Sequence, residues 1–430
     1  MTRNSVPGML LGVFVAIGLV VPSAAHAFGA PLVRVPFVGR TSTTGVSIWA
    51  GTSASFGDAA GEALVLRVRE ASACETCWVS TAQMTESGTG AGFRSWKGSV
   101  DGLKPNTRYH YGIFVSGQTG ERGGFYFRTE PTAPTRFKVG VASCMNGSTA
   151  PSQPSWDIMH EQLNTGEPNI QLLVGDNMYT TQNPPSKDHY WFKYFEQRDV
   201  PQFTNVFRAF PTFAVWDDHD YGPNDEDGTF AQKDVARAAY ADLYPHPPFA
   251  GEGIYHSFGW GGVKFFMMDD RWGRDCPRNP PAGHTPKMYG GAQFDWLKDQ
   301  LRASDATFKV IVNGSTLNNN CWGDQKQALF EFITNNKIGG VLFVTGDIHK
   351  SLVTPRNPAG GYTLYELTSS GIGSPSDPSE WSFGIMEFNM TLADPTVTLK
   401  VIQNPERRSS ITGAGVKVST TVIRRSQLKN

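Results

Sequence analysis

The 430-residue chain lacks an excess of either charge: 38 Lys and Arg stand against 39 Asp and Glu, for a formal net charge of −1. That removes the electrostatic drive toward nucleic acid or a strongly anionic membrane, and no nucleic-acid-binding patch is evident. Long apolar runs are scarce. The 13 residues 9–21 form one, too short to cross a bilayer comfortably, and nothing later is long and apolar enough to span. Arg3 before this run and the small-x-small triplet Ala25-His26-Ala27 after it make residues 1–27 read as a cleaved export signal. The mature protein is therefore expected to be soluble, periplasmic or secreted, with no stable membrane anchor. Internal repeats and low-complexity tracts are absent, which excludes a solenoid.

Cysteine is also sparse, and odd in number. Cys74 and Cys77 sit three apart in a loop-like stretch, and Cys276 and Cys321 both lie in Asn-, Gly- or Pro-containing stretches. An oxidising compartment favours pairing within each couple. Cys144 is left over, and metal ligation is one reason for an exported protein to keep a lone thiol. The Cys-x-x-Cys couple has no second couple with which to build a zinc site.

Glycine and proline, by contrast, are plentiful (46 and 28), and 39% of residues are hydrophobic. A loop-rich, strand-rich protein with a packed core follows. Residues 28–133 hold short alternating strands, such as 45–50, 63–69 and 108–115, and predict a β-sandwich domain of fibronectin or immunoglobulin type. Glu130-Pro131-Thr132-Ala133-Pro134 marks a boundary. Over 134–430 strands alternate with helices (156–163, 232–243, 292–304, 325–335), so the fold class is α/β (α+β).

The polar residues fall at strand ends. Five apolar strands run into Cys144, into Asp176 and Tyr179, into Asp217-Asp218-His219-Asp220, into Asp270-Arg271, and into Asp347 and His349. Ligands bind at strand C-termini in α/β sheets. Crowded carboxylates repel and lose hydration, and a cation relieves both costs. Asp176 and Asp347 are hard oxygen donors able to bridge two ions, and His349 offers a nitrogen. A Cys144 thiolate and a Tyr179 phenolate suit a high-charge iron centre. Asp217, Asp218 and Asn224 supply oxygens for a harder ion. The Arg271 fork fits phosphate oxygens, and His219 is placed to bind or protonate an oxygen at the reaction centre. Together they describe phosphate-ester hydrolysis. Each residue alone also has a plainer reading: Cys144 as an inert thiol, Tyr179 as packing, His349 as a core imidazole, Arg271 as the ion-pair partner of Asp269 or Asp270.

The ordered set Ala142-Ser143-Cys144, Gly175-Asp176-x-x-Tyr179, Trp216-Asp217-Asp218-His219-Asp220 with Asn224-Asp225, Asp270-Arg271, Gly346-Asp347-Ile348-His349 and Glu366-Leu367-Thr368-Ser369-Ser370-Gly371 resembles the PhoD-like alkaline phosphatases of the calcineurin-like metallophosphoesterase superfamily. The leading domain, with Gly102-Leu103-x-Pro105-x-Thr107-x-Tyr109, resembles that family's as well. The resemblance implies two packed mixed sheets flanked by helices. It implies an Fe3+ and Ca2+ centre, with Cys144, Asp176, Tyr179, Asp347 and His349 as ligands. Asn224 and one or both of Asp217 and Asp218 would complete the calcium shell. Its activity would be that of an exported alkaline phosphatase or phosphodiesterase, with a phospholipase D-like diesterase as the alternative. A non-catalytic exported binding protein is the alternative of another class. Two features depart from the pattern: no twin arginine precedes residues 9–21, and Asn313-Gly314-Ser315 stands where the superfamily often has a His.

Overall fold

The computed structural model describes residues 31–59, 61–375, 377 and 380–429. The leader expected over 1–27 lies outside them. The first eight strands are β1 (Leu32–Thr41), β2 (Val46–Ser53), β3 (Leu64–Glu70), β4 (Ser80–Gln83), β5 (Thr85–Gly90), β6 (Phe93–Val100), β7 (Arg108–Val115) and β8 (Glu121–Arg128). They pair antiparallel into two four-stranded sheets, β1-β2-β6-β5 and β4-β3-β7-β8. Alternation decides which face is buried: Leu64, Leu66 and Val68 of β3 meet Ile48, Tyr111 and Ile113 in one core. Cys74 and Cys77 form a disulfide in the loop between β3 and β4.

Eleven further strands and seven helices follow among the described residues up to β19, then a last strand: β9 (Arg136–Ala142), α1 (Ser155–Leu163), β10 (Ile170–Val174), α2 (Lys187–Arg198), α3 (Pro201–Phe207), β11 (Thr212–Val215), α4 (Asp218–Tyr221), α5 (Lys233–Leu243), β12 (His256–Trp260), β13 (Val263–Met267), α6 (Gly291–Ala303), β14 (Phe308–Val312), α7 (Gln325–Asn335), β15 (Val341–Thr345), β16 (Leu352–Arg356), β17 (Leu364–Thr368), β18 (Ser382–Asn389), β19 (Thr396–Gln403) and β20 (Lys417–Arg424). They make two six-stranded mixed sheets, β11-β10-β9-β18-β19-β20 and β12-β13-β14-β15-β17-β16. Strands β9, β10 and β11 run parallel in the first, and β13, β14, β15 and β17 in the second. Every residue of β10, β14 and β15 is buried, as central strands covered on both faces require. One hydrophobic core joins the two sheets and their helices.

That core also takes in Phe37 of β1 and Trp49 of β2, which ties the N-terminal sheets to the rest. Between them sits Arg198, the last residue of α2. Its guanidinium carbon lies 5.0 Å from the Phe37 ring, 4.8 Å from Trp49, 5.9 Å from Tyr194, 5.3 Å from Phe207 and 4.9 Å from Tyr244. Cation–π attraction of this kind grows as water is excluded, and Arg198 is buried.

Candidate metal centre

The parallel strands of both sheets deliver their C-terminal ends to one place. Ser143 and Cys144 follow β9, Asp176 and Tyr179 follow β10, and Asp217 to Asp220 follow β11. From the second sheet, Asp269 to Arg271 follow β13, Asn313 to Ser315 follow β14, Asp347 to His349 follow β15, and Ser369 and Ser370 follow β17. Small residues let the ends approach: a Cβ on Gly346 would lie 2.5 Å from Ser143 Oγ and 2.6 Å from Val174 O. The ends are also strained. Cys144, Asp176, Asp347 and His349 have φ of 58°, 48°, 76° and 57°. A non-glycine residue held there costs on the order of 1 kcal/mol, and such strain concentrates at functional sites.

Two groups of side chains converge, and Asp176 belongs to both. In the first, the donor atoms of Cys144, Asp176 and His349 lie within 4.8 Å of one another. Tyr179 joins it: its hydroxyl donates to Asp176 Oδ2 at 3.1 Å and stands 3.1 Å from His349 Nε2. Cys144 Sγ is 3.5 Å from Asp176 Oδ2 and fully buried. In the second group, Asp176, Asp218 and His219 meet within the same 4.8 Å. The His219 ring lies tilted against Tyr179 with centroids 4.2 Å apart, and its Nδ1 is buried with no hydrogen-bond partner among the described residues. Asp347 is placed so that its carboxyl feels the charges of Asp218, Arg271 and Asp270.

Three residues expected in the site have other partners in the structure. Arg271 lies beside the second donor group, its Nη2 3.9 Å from Asp218 Oδ2. It is fully buried. Its Nε donates to Asp217 Oδ1 at 2.6 Å, Nη1 to Glu226 O at 3.1 Å and Nη2 to Ser315 Oγ at 3.2 Å, and Nη2 also pairs closely with Asp217. The guanidinium that the sequence set against a substrate phosphate is thus engaged by protein partners on each of its nitrogens. Asp217 is the other half of this pair and accepts from Ser315 Oγ at 3.2 Å; it is in neither donor group, so of the two neighbouring acids it is Asp218 that meets Asp176. Asn224 is exposed and its amide donates to Asp225. The turn reaches the site through a backbone group instead: the Asp225 N–H donates to Asp218 Oδ2 at 2.9 Å.

Other polar strand-end residues hold the frame. Asp220 Oδ1 accepts from the Tyr194 hydroxyl at 3.0 Å and Asp220 Oδ2 from the Asn177 and Asp217 N–H groups, so it staples the end of β10 to that of β11. Asp269 accepts from Trp216 Nε1 at 2.7 Å and from three backbone N–H groups. Asn313 donates to Asp270 and to Ser315 O and accepts from the Tyr289 hydroxyl. Cys276 and Cys321 form a disulfide, and Cys144 is free. Sequence reasoning gave no role to Ser315 or Ser370, although both lie in strand-end motifs it had singled out.

The electrostatics show what the donor set costs without a cation. Burial, then the charge of Asp218, pushes the Asp176 carboxyl well above the ordinary range, and the same two causes push Asp347 to about 6. Burial pushes the Cys144 thiol to about 11 and lowers both His219 and His349. Burial also opposes ionisation of Asp218, but Arg271, His219 and the Asp225 N–H outweigh it and hold that carboxyl low. A cation beside Asp176 would reverse the first three shifts. With a thiol, a phenol, imidazoles and carboxylates converging, and an orphaned imidazole nitrogen beside them, the residues fit two cations that share Asp176.

Among the described residues no helix is long and apolar enough to cross a membrane. The family model for PhoD-like phosphatases matches residues 139–413. A curated relative, alkaline phosphatase D of Bacillus subtilis (strain 168), is 22% identical over 308 residues, covering 59% of this chain and 52% of the relative, so the match spans about half the relative's length. A solved structure of PhoD superposes with a TM-score of 0.74 at 17% identity, covering 94% of this chain and 92% of that one. Purple acid phosphatase PPD1 from yellow lupin (Lupinus luteus) seeds superposes with a TM-score of 0.63 at 11% identity, covering 91% and 75%. At these identities the structural likeness speaks to the fold.

Proposed function

Because the chain belongs to the PhoD-like phosphatase family, we propose that it is an exported hydrolase of phosphoric esters, working at a two-cation centre at the shared strand ends. The observation that carries this reading is the position of Asp176 in both donor groups. Cys144, Tyr179 and His349 would hold an Fe3+ on one side of Asp176, and Asp218 would hold a Ca2+ on the other, with Asp347 completing the centre. When bound, the cations supply Lewis acidity toward phosphoryl oxygens and lower the pKa of water.

The chain's own groups do the rest. His219, whose pKa burial lowers further, is neutral at alkaline pH and presents an imidazole nitrogen to an oxygen at the reacting phosphorus. Tyr179 packs against that ring and limits its movement. Arg271, through Asp217 and Ser315, holds the end of β11 in place and keeps Asp218 ionised. Residues 1–27 act as the leader in this proposal, 28–133 as a sandwich domain and 134–430 as the catalytic one. The two disulfides support an oxidising destination.

The test is turnover of p-nitrophenyl phosphate and bis-p-nitrophenyl phosphate with added Ca2+, before and after chelation. Chelator-sensitive cleavage is expected, and the preferred compound reports monoesterase or diesterase chemistry. Metal-loaded protein that turned over neither would point instead to a non-catalytic binding role.

A further inference from the structure

Two serine hydroxyls approach Cys144 Sγ: Ser370 Oγ at 2.8 Å and Ser143 Oγ at 3.4 Å. A serine hydroxyl has one proton to give, and the surrounding partners say where each goes. Ser143 Oγ donates to Ser369 O at 2.9 Å, so its proton points away from the sulfur. Ser370 Oγ accepts the His349 backbone N–H at 2.7 Å. Its own proton is thereby left for an acceptor, and the atom beside it is Cys144 Sγ.

The backbone of Ser370 is held as well. The Ser370 N–H donates to Ser351 Oγ at 3.1 Å, and Ser370 O accepts from Ser351 Oγ at 3.2 Å. Ser370 is fully buried. The two residues it bridges, Cys144 and His349, both sit in left-handed backbone conformations, which need outside support to persist.

We propose that Ser370 is a positioning residue of the metal centre: it donates a hydrogen bond to the Cys144 thiolate and holds the His349 backbone, which fixes the spacing of two ligands and draws electron density from the sulfur. The inference rests on the metal-centre reading. Hydrogen bonds to ligating sulfur lower the energy of its lone pairs, and the groups behind the ligands set their orientation.

The experiment uses full-length protein reconstituted with Co2+, whose sulfur-to-cobalt charge-transfer absorption reports the thiolate whatever the native metal. Ser370→Ala should shift that band to longer wavelength, Ser370→Thr should return it to the wild-type position, and Ser143→Ala should leave it in place. An unmoved band in Ser370→Ala, or a moved one in Ser143→Ala, overturns the assignment. If Ser370→Ala takes up no cobalt, the other two variants decide: a shift in either overturns it, and wild-type positions in both uphold it. The parent reading fails separately. A wild-type protein with no sulfur band, or a band that survives Cys144→Ala, would remove Cys144 from the centre altogether.

Discussion

Replacing Arg271 by methionine removes a cation from a fully buried ion pair and keeps most of the side-chain volume. Asp217 then loses its counter-charge, Ser315 Oγ and Glu226 O lose a donor, and Asp218 loses the charge that helps hold it ionised. Breaking one side of a buried pair costs about 3–5 kcal/mol. Spread over the unfolding entropy of about 300 residues, near 2 cal/mol/K each, that is a fall of roughly 6 °C in Tm. The sign with pH also follows. The deficit comes from uncompensated carboxylates, so protonating them relieves it, and the loss should be larger at pH 8 than at pH 5. Adding Asp217→Asn should recover part of the loss in a double-mutant cycle. The assay is thermal unfolding of metal-loaded protein at both pH values, alongside KM. A variant with unchanged Tm and a raised KM would return the guanidinium to the substrate and refute the structural assignment.

Metal analysis should find both equivalents lost from Asp176→Asn and one lost from Asp218→Asn; equal losses would deny Asp176 its shared position. Chelation should lower Tm more at pH 8 than at pH 5. With its folded pKa raised to about 6, Asp347 in metal-free protein contributes stability that is present below the unfolded value and lost as pH rises through 6. A chelator effect independent of pH would count against that burden. His256, buried with Nδ1 on Ile254 O at 2.9 Å, is lowered by burial to about 4. Its contribution is present above pH 6.5 and lost as pH falls toward 4, up to about 3 kcal/mol. His256→Asn should flatten the acid limb of a Tm-against-pH curve, and an unchanged slope would show that the acid sensitivity comes from elsewhere.

Much of this was readable from the chain. The buried parallel strands announced themselves as short apolar runs such as 170–174 and 341–345, and each ended in a donor because the fold presents strand ends to a ligand. The helix over 292–304 showed its apolar face in the sequence, and Leu297 and Leu301 are buried. The edge strand β20 did not, since Val418 and Val422 point to solvent and its serines and threonines make no apolar stripe. Within the site, residue type alone cannot say which of two adjacent acids meets the metal and which meets an arginine. That choice is made by Arg271, 54 residues along, and by the short α4 turn that sends consecutive side chains in different directions. The roles of Ser315 and Ser370 depend on partners 98 and 226 residues distant, which no local pattern reveals.

The ring of aromatics around Arg198 bears on how the protein reaches its shape. Phe37 stacks on Phe207 at 3.8 Å, and Trp49 and Phe93 both lie against Phe195. A chain made without its first eight strands would display Phe195, Phe207 and Tyr244 around an unmatched guanidinium, a surface prone to aggregate. Synthesis runs the other way: the N-terminal sheets leave the ribosome first and are on hand when α2 and α3 emerge. Order of emergence thus supplies a partner for the stickiest face of the later segment, and rearranging the gene to place that segment first would forfeit the protection.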